Sequence, residues 1–284
     1  MVMQFHFSNY CASFLDLLGQ RDSMKGQGLL LLDEGGSPRL EVKKSMAESV
    51  GKILSFQSDA DNFLNQEPND SIRDEMDDEE KLAYDDICKQ KMKRQRWSDG
   101  LVLYTSMNAV APMFAIYEVM YASACLCFQQ LAKGAPIRGG IDISWGAELH
   151  ENELYGAIVA NSYALENDVA QYPRIVVGDR VLVYLEEAKA HPDVENNAAK
   201  LNKALAKFCR SMLVRDIDGY MILDYLSPVM IEAVGEATSR ELLDSAIRFA
   251  QSQYYLHSVK ERNSKLAARY NWLLSYLENK KPRD

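Results

Sequence analysis

Residues 14–20, FLDLLGQ, place an aspartate in the middle of a short apolar run that ends on a glycine. With the residues before it, this run predicts a buried strand over residues 10–18 that ends at Gly19. A carboxylate inside such a strand is costly to bury unless another group compensates for its charge. That group is either a structural partner or a metal ion, so Asp16 is the first candidate functional residue.

The composition is that of an ordinary globular protein. The chain has 284 residues, 47% of them hydrophobic, and a net charge of -9, and this length suits one large domain or two small ones. Phosphate backbones need clustered Lys and Arg, so the charge disfavours a nucleic-acid polymer but not a mononucleotide whose charge a metal neutralises. No apolar run approaches the ~18 residues of a membrane span, and the five scattered cysteines fit a reducing compartment. We therefore expect a cytoplasmic protein that binds neither membranes nor nucleic-acid polymers.

Apolar periodicity predicts an α+β protein. The predicted elements are a strand at 10–18, a helix at 41–66, a hairpin at 92–106, a helix at 109–133, a strand at 137–145, a helix at 157–170, a strand at 172–177, a helix at 196–214, a hairpin at 215–226 and a helix at 239–279. This order predicts one sheet on the split βαβ plan with helices on one face. We expect a main domain at 1–190, with an acidic insertion at about 68–86, and a hairpin with a helical extension at 191–284 packed on it.

A second aspartate has the same kind of surroundings as Asp16. Asp99 lies in WSDG, residues 97–100, where Asp-Gly between strand-forming runs predicts a hairpin turn. If the two strands are neighbours, both carboxylates meet at one end of the sheet and, with a backbone carbonyl, form a hard oxygen set suited to Mg²⁺ or Mn²⁺. The N–H groups near Gly19 could then face a phosphate. The alternative is structural, with Asp16 capping a helix and Asp99 forming a tight turn.

In order and spacing, these motifs resemble the class III nucleotidyl cyclases, the adenylyl and guanylyl cyclase family. FLDLLG and WSDG are similar to that family's two metal-binding segments, and IRGGIDISWGAEL (137–149) and LYGAIVANSYALE (154–166) resemble its later strand and helix. YPRIVV (172–177) adds to a likeness with stand-alone bacterial homologues. These include the pyrimidine cyclases of the Pycsar anti-phage systems, which make cyclic UMP or cyclic CMP.

The resemblance implies a ferredoxin-like βαββαβ core, a nucleoside triphosphate substrate, two Mg²⁺ or Mn²⁺ ions and a homodimer with its sites at the interface. It implies that both ions are held by Asp16, the Leu17 carbonyl and Asp99. The residues it implies for the substrate are Leu18, Gly19, Gln20, Gln95 and Asn161, and those for catalysis are Asp16, Asp99 and Arg138. Its product would be a 3′,5′-cyclic nucleotide, which the likeness to the Pycsar cyclases implies is an anti-phage signal made from a pyrimidine nucleotide.

The sequence also departs from the family pattern. Ala160 and Ala164 stand where the family usually has an Asn and the Arg that steadies the transition state, and Asn161 is one position off, about 100° round a helix. Gln95 stands at the place of the purine-selecting Lys, which disfavours an ordinary adenylyl cyclase. Arg138 and Arg174 are candidate replacements for the missing Arg, although Arg138 also fits a charged residue on an edge strand.

Two other segments have open interpretations. The basic cluster at 91–96 either receives triphosphate charge or is a solvated strand end. The apolar stripe of the C-terminal helix either packs on the core or docks on a partner. The departures leave two functions in view: an active cyclase, or a degenerate cyclase-like domain that binds a nucleotide or a protein partner without turnover.

Overall fold

We describe the protein from a computed structural model, which covers residues 6–20, 28–65, 81–82, 85–86, 89, 91–191 and 196–281. The strands are β1 (Phe7–Leu17), β2 (Lys93–Trp97), β3 (Gly100–Ser106), β4 (Ile137–His150), β5 (Glu153–Tyr155), β6 (Ile175–Val177), β7 (Leu213–Arg215) and β8 (Met221–Leu223). The α-helices are α1 (Leu40–Leu64), α2 (Met113–Ala132), α3 (Ala157–Ala164), α4 (Asp179–Ala190), α5 (Asn197–Ser211), α6 (Pro228–Val234), α7 (Glu236–Tyr255) and α8 (Ser264–Asn279). Two π-helical turns, Leu165–Val169 and Leu256–Lys260, continue α3 and α7. The fold is therefore mixed α+β, as predicted.

Within the described residues, all eight strands belong to one sheet, in the order β2-β3-β1-β4-β6-β8-β7, with β5 paired to β4. Neighbours among the first four strands are antiparallel, and helices α1 and α2 make the two long connections between them. This β-α-β-β-α-β path with β1 between β3 and β4 is the split βαβ arrangement. It places the end of β1, the start of β4 and the turn between β2 and β3 at the same edge of the sheet.

The two faces of β1 bury different cores because side chains alternate along a strand. Cys11, Leu15 and Leu17 join the main core. Helix α2 packs on this face of the sheet and contributes its buried side chains to the same core. Tyr10, Ala12 and Phe14 join a smaller cluster on the opposite face. The strand is therefore buried on both sides, as its apolar run predicts.

Helix α3 and its π-turn lie on that opposite face, so the prediction of helices on one face is wrong for this segment. The π-turn can pack on this face because Gly140 on β4 has no side chain. A Cβ there would meet the Ser162 carbonyl oxygen at 2.5 Å and the Glu166 nitrogen at 2.8 Å. This close approach seats the π-turn directly on the sheet.

The C-terminal region differs in detail from its prediction. The long helix predicted at 239–279 is two helices, α7 and α8, which pack against each other after a break at 261–263, where Arg262 has a φ of 52°. The predictions also missed α4 and α6. Leu273 and Leu277 of α8 are buried in the main core, so the apolar stripe of this helix packs on the core.

The predicted extension shares the sheet of the main domain, since β8 pairs with β6. The boundary placed at residue 190 stays a prediction. Most of the acidic insertion lies outside the described residues, which resume in part at residue 81. Every helix in the described parts of the chain is too short or too polar to cross a bilayer.

Candidate functional site

Asp16 and Asp99 lie at the same edge of the sheet. Asp16 is directly opposite Gly100 in the β1–β3 pairing, which places Asp99, the residue before Gly100, beside the end of β1. A Cβ on Gly100 would stand 2.6 Å from the Leu15 carbonyl oxygen, so the hairpin approaches this closely only with glycine there. Strand register thus brings two aspartates more than eighty positions apart in the sequence to the same edge of the sheet.

Both carboxylates line one cavity of about 470 Å³, called here the aspartate cavity. Its lining residues are Asp16, Leu17, Leu18, Gly19, Gln20, Asp99, Arg138, Asn263, Lys265, Leu266 and Arg269. The sequence had singled out the first seven of these as site residues. The last four come from α8 and the turn before it, and no sequence motif marked them.

Arg138 compensates for the charge of Asp16 in this structure. It is opposite Asp16 in the β1–β4 pairing, and its guanidinium donates from Nε at 3.3 Å and from Nη2 at 3.2 Å to Asp16 Oδ2. Strand β4 lies between β1 and β6, so the interpretation of Arg138 as an edge-strand charge is wrong. Arg138 is therefore a structural partner that compensates for the charge of Asp16 in FLDLLGQ. A metal ion at Asp16 would bind in addition to this ion pair.

Glu166 is a further acidic group beside Arg138. Its side chain is 2% exposed, and its Oε1 forms an ion pair with Arg138 Nε without the alignment of a hydrogen bond. Burial raises the pKa of Glu166 to about 7; the charge of Arg138 opposes this shift, and Asp16 and Asp99 add to it. The sequence motif LYGAIVANSYALE ended on this residue, but only the fold shows that it contacts the site.

The residues that follow Asp16 have partners inside the chain. The Leu18 N–H donates to the Pro136 carbonyl at 2.9 Å, so it is already used within the fold. Gln20 is buried and accepts from the Ser49 hydroxyl at 2.8 Å. Gly19 is exposed with a φ of 91°, a conformation that favours glycine. Leu17 buries its side chain in the main core.

Gln95 and Asn161 lie apart from the aspartate cavity. Gln95 lines a separate cavity of about 740 Å³ between β2 and α3, called here the aromatic cavity, together with Ala160, Trp97 and Trp145. Its side-chain oxygen accepts from the Leu154 N–H at 3.0 Å. Asn161 is half-buried on α3 and lines neither cavity within the described residues.

Two basic groups proposed from the sequence serve other purposes. Arg174 is 2% exposed and forms ion pairs with Asp216 and Asp218, so it does not replace the missing arginine. In the basic cluster, Arg94 pairs with Asp61 at 2.5 Å and Lys93 with Glu148 at 2.7 Å. These contacts tie the hairpin strand β2 to α1 and β4.

The donor set of the aspartate cavity fits a metal that is bound jointly with substrate. No group of three or more His, Cys, Asp or Glu side chains within the described residues is arranged to hold an ion unaided. Mg²⁺ in phosphate-transfer sites is commonly held by one or two carboxylates plus substrate phosphates. Asp16 and Asp99 could supply the two carboxylates of such a site, with the Leu17 carbonyl at the end of β1 as a further oxygen ligand.

Comparison with known proteins does not assign this chain to a family. No family model and no curated protein matches this chain. Among solved structures, a bacterial light-regulated adenylyl cyclase matches with a TM-score of 0.39 and 9% identity over 84% of this chain and 99% of that chain. At that level of likeness, neither the fold nor the activity of that enzyme carries over to this chain.

Proposed function

We propose that this protein is a nucleotidyl cyclase that converts a nucleoside triphosphate into a 3′,5′-cyclic nucleotide and pyrophosphate. The observation that carries the proposal is that Asp16 and Asp99 line one cavity beside Arg138. The sequence resemblance to class III cyclases assigns the same two aspartates to metal binding.

The reaction is an in-line displacement. The ribose O3′ attacks the α-phosphorus, the O3′–Pα bond forms, the bond from Pα to the β-phosphate oxygen breaks, and the 3′ proton passes to solvent. Divalent ions held by Asp16, Asp99 and the Leu17 carbonyl would supply the lowered pKa of the 3′-hydroxyl and the neutralisation of the triphosphate. Most of the remaining catalysis is positioning and electrostatic stabilisation.

We assign Arg138 to the reacting phosphate because it is the cavity cation that contacts Asp16. Its contacts with Asp16 and Glu166 fix the guanidinium at the cavity wall. A fixed positive charge there stabilises negative charge that develops on the phosphoryl oxygens. Arg138 would thus partly replace the transition-state arginine of the resembled family, whose position is occupied here by Ala164.

The base of the substrate is proposed to be a pyrimidine. Gln95 stands where the resembled family has its purine-selecting Lys, and both Gln95 and Ala160 line the aromatic cavity. A cyclic pyrimidine nucleotide would suit an anti-phage signal of the Pycsar kind. The cytoplasmic location inferred from the cysteines stays a prediction.

A homodimer is part of this proposal. Four large aromatic side chains around the aromatic cavity are substantially exposed: Trp97 at 48%, Trp145 at 51%, Tyr155 at 68% and Tyr163 at 46%. An exposed apolar patch of this kind marks an interaction surface. A second copy seated there would cover the cavity that holds Gln95.

A degenerate domain that binds nucleotide without turnover is the second candidate. Residues 160 and 164 on α3 are alanines, so neither position offers a polar side chain to a substrate. Losing one electrostatic contact of this kind costs ~10²-fold in rate or more.

An assay with all four nucleotides separates these candidates. Purified protein is incubated separately with ATP, GTP, CTP and UTP plus Mn²⁺, and the products are identified by mass spectrometry. The cyclase proposal predicts a 3′,5′-cyclic nucleotide, with UTP or CTP as the preferred substrate. Metal-dependent binding without any product would favour the degenerate domain.

A further inference from the structure

The aspartate cavity has a positively charged wall that comes from the C-terminal region. Lys265 and Arg269 both line it, and they lie four residues apart on α8. Side chains at this spacing share one face of a helix. We refer to Lys265 and Arg269 as the cationic wall.

The cationic wall continues beyond this cavity. A neighbouring cavity of about 240 Å³ shares Leu18, Gly19 and Arg269 with the aspartate cavity and adds Lys52 of α1. None of the described residues that line this second cavity is an aspartate or glutamate. The sign of the charge thus changes along the two cavities. The carboxylates of Asp16 and Asp99 lie at one end, and the cations Arg269 and Lys52 lie beyond Gly19.

This distribution is unusual for the molecule as a whole. The chain carries a net charge of -9, yet the described lining of the aspartate cavity has three cations against two carboxylates. Arg138 is already paired with Asp16 and Glu166, so the further cations are Lys265 and Arg269. A ligand that satisfies both ends needs a metal-binding group at the aspartates and several negative charges extending away from them. A polyphosphate chain has this form, and Arg and Lys are the side chains that bind phosphate most strongly.

We propose that Lys265 and Arg269 bind the β- and γ-phosphates of the triphosphate substrate. This inference rests on the proposed function, because it orients the same substrate in the same cavity. It assigns the C-terminal hairpin of α7 and α8 a direct part in substrate binding: α8, packed on the main core through Leu273 and Leu277, presents its first two turns to the phosphates. Each site would then obtain these two cations from its own chain.

The test uses the full chain with Mn²⁺ and compares ligands that differ in phosphate number. Inorganic tripolyphosphate, the four nucleoside triphosphates and the matching monophosphates are titrated into wild type and into the double variant Lys265→Gln/Arg269→Gln by calorimetry. The double variant Arg240→Gln/Lys281→Gln, which removes the same charge from exposed positions outside both cavities, is the control. We expect the wall variant to bind tripolyphosphate and triphosphates at least ~10-fold more weakly than the control, and monophosphates within about twofold.

Two outcomes would overturn the inference, and they have different meanings. If the wall variant binds triphosphates as the control does, while wild type makes a cyclic product that Asp99→Asn abolishes, the assignment of the wall is wrong and the proposed function stands. If wild type neither binds nor converts any triphosphate, both proposals fail. Lys265 is exposed, so the single variant Lys265→Glu gives the same test should the double variant not fold, with a ~10-fold loss again expected.

Discussion

At the scale of single residues, the site is a set of charges held in register. Asp16 and Arg138 are opposite each other on neighbouring strands, and Glu166 reaches the same guanidinium from the π-turn. Breaking a buried pair by removing one partner is destabilising because it leaves an uncompensated charge. Substitutions at Asp16 and Arg138 therefore report on folding as well as activity. Asp99 is half-buried in the turn between β2 and β3 and lies outside that ion pair, so it reports more directly on activity.

A half-buried carboxyl away from the site, that of Glu118, predicts a pH effect on stability. Glu118 on α2 accepts a hydrogen bond from Thr105 at 3.2 Å, and burial raises its pKa from 4.5 to about 7, a shift that this hydrogen bond opposes. Below about pH 4.5 the group is protonated in both the folded and unfolded states. As the pH rises to about 7, the unfolded chain releases a proton that the folded chain keeps, so the free energy of unfolding falls.

We expect Glu118→Gln to remove this penalty. Gln can still accept from Thr105, so the variant should be more stable than wild type by about 1–3 kcal/mol at about pH 8 and equal to it at about pH 4. Chemical denaturation at both pH values measures the difference, with Glu48→Gln at an exposed position on α1 as the control. An equal effect of Glu118→Gln at the two pH values would contradict this account.

At the scale of elements, the seat of the π-turn on β4 depends on Gly140. A Cβ at this position would meet backbone atoms of Ser162 and Glu166 within 2.8 Å, and backbone cannot move aside as a flexible side chain can. We expect Gly140→Ala to lower the free energy of unfolding by about 1–3 kcal/mol. It should also lower turnover, because the π-turn carries Glu166 to Arg138.

Gly51 provides the matched control for that substitution. It lies within α1, and a Cβ there would meet nothing within 4 Å. Gly51→Ala should therefore raise stability by about 0.5–1 kcal/mol. If Gly140→Ala were as harmless as Gly51→Ala in thermal denaturation and in the cyclase assay, the π-turn would not need its close approach to β4.

Several elements could be predicted from the sequence because their signals are local. The apolar run at 10–18 and the Asp-Gly turn at 99–100 specify strands and a hairpin, and strand register then places Asp16 near Asp99. The break before α8 has a weaker local signal. The stretch from 255 to 264 has no Gly or Pro, and the positive φ falls on Arg262, a residue type that gives no turn signal. The helix-start signal there is Asn263, whose side chain caps α8 by accepting from the Leu266 N–H at 3.2 Å.

The cationic wall was missed for a different reason. Lys265 and Arg269 read as ordinary helix-surface charges, and only the fold of the C-terminal hairpin brings them to the aspartates. Glu166 is a similar case, since its proximity to Arg138 depends on the contact between the π-turn and Gly140. Contacts between segments distant in sequence leave no periodic signal for sequence analysis to detect.

At the scale of the whole molecule, we predict self-association through the patch around the aromatic cavity. Trp145→Asp places a charge in that patch and should weaken the dimer at least ~10-fold, because a buried unpaired charge is costly. Sedimentation velocity over a concentration series measures the change, with Ile217→Asp, at a residue 90% exposed on the β7–β8 turn, as the control. A monomeric wild type, or a dimer unaffected by Trp145→Asp, would exclude this surface.

The most direct test of the whole account is the effect of Asp99→Asn on cyclic-nucleotide formation. The substitution keeps the size of the side chain and removes only its charge, and Asp99 lies outside the pair that Arg138 makes with Asp16. With Mn²⁺ and the preferred triphosphate, we expect wild type to form the cyclic product and Asp99→Asn to form it at least ~10²-fold more slowly, with an unchanged melting temperature. Equal rates in the two proteins would show that the aspartate cavity is not the catalytic centre.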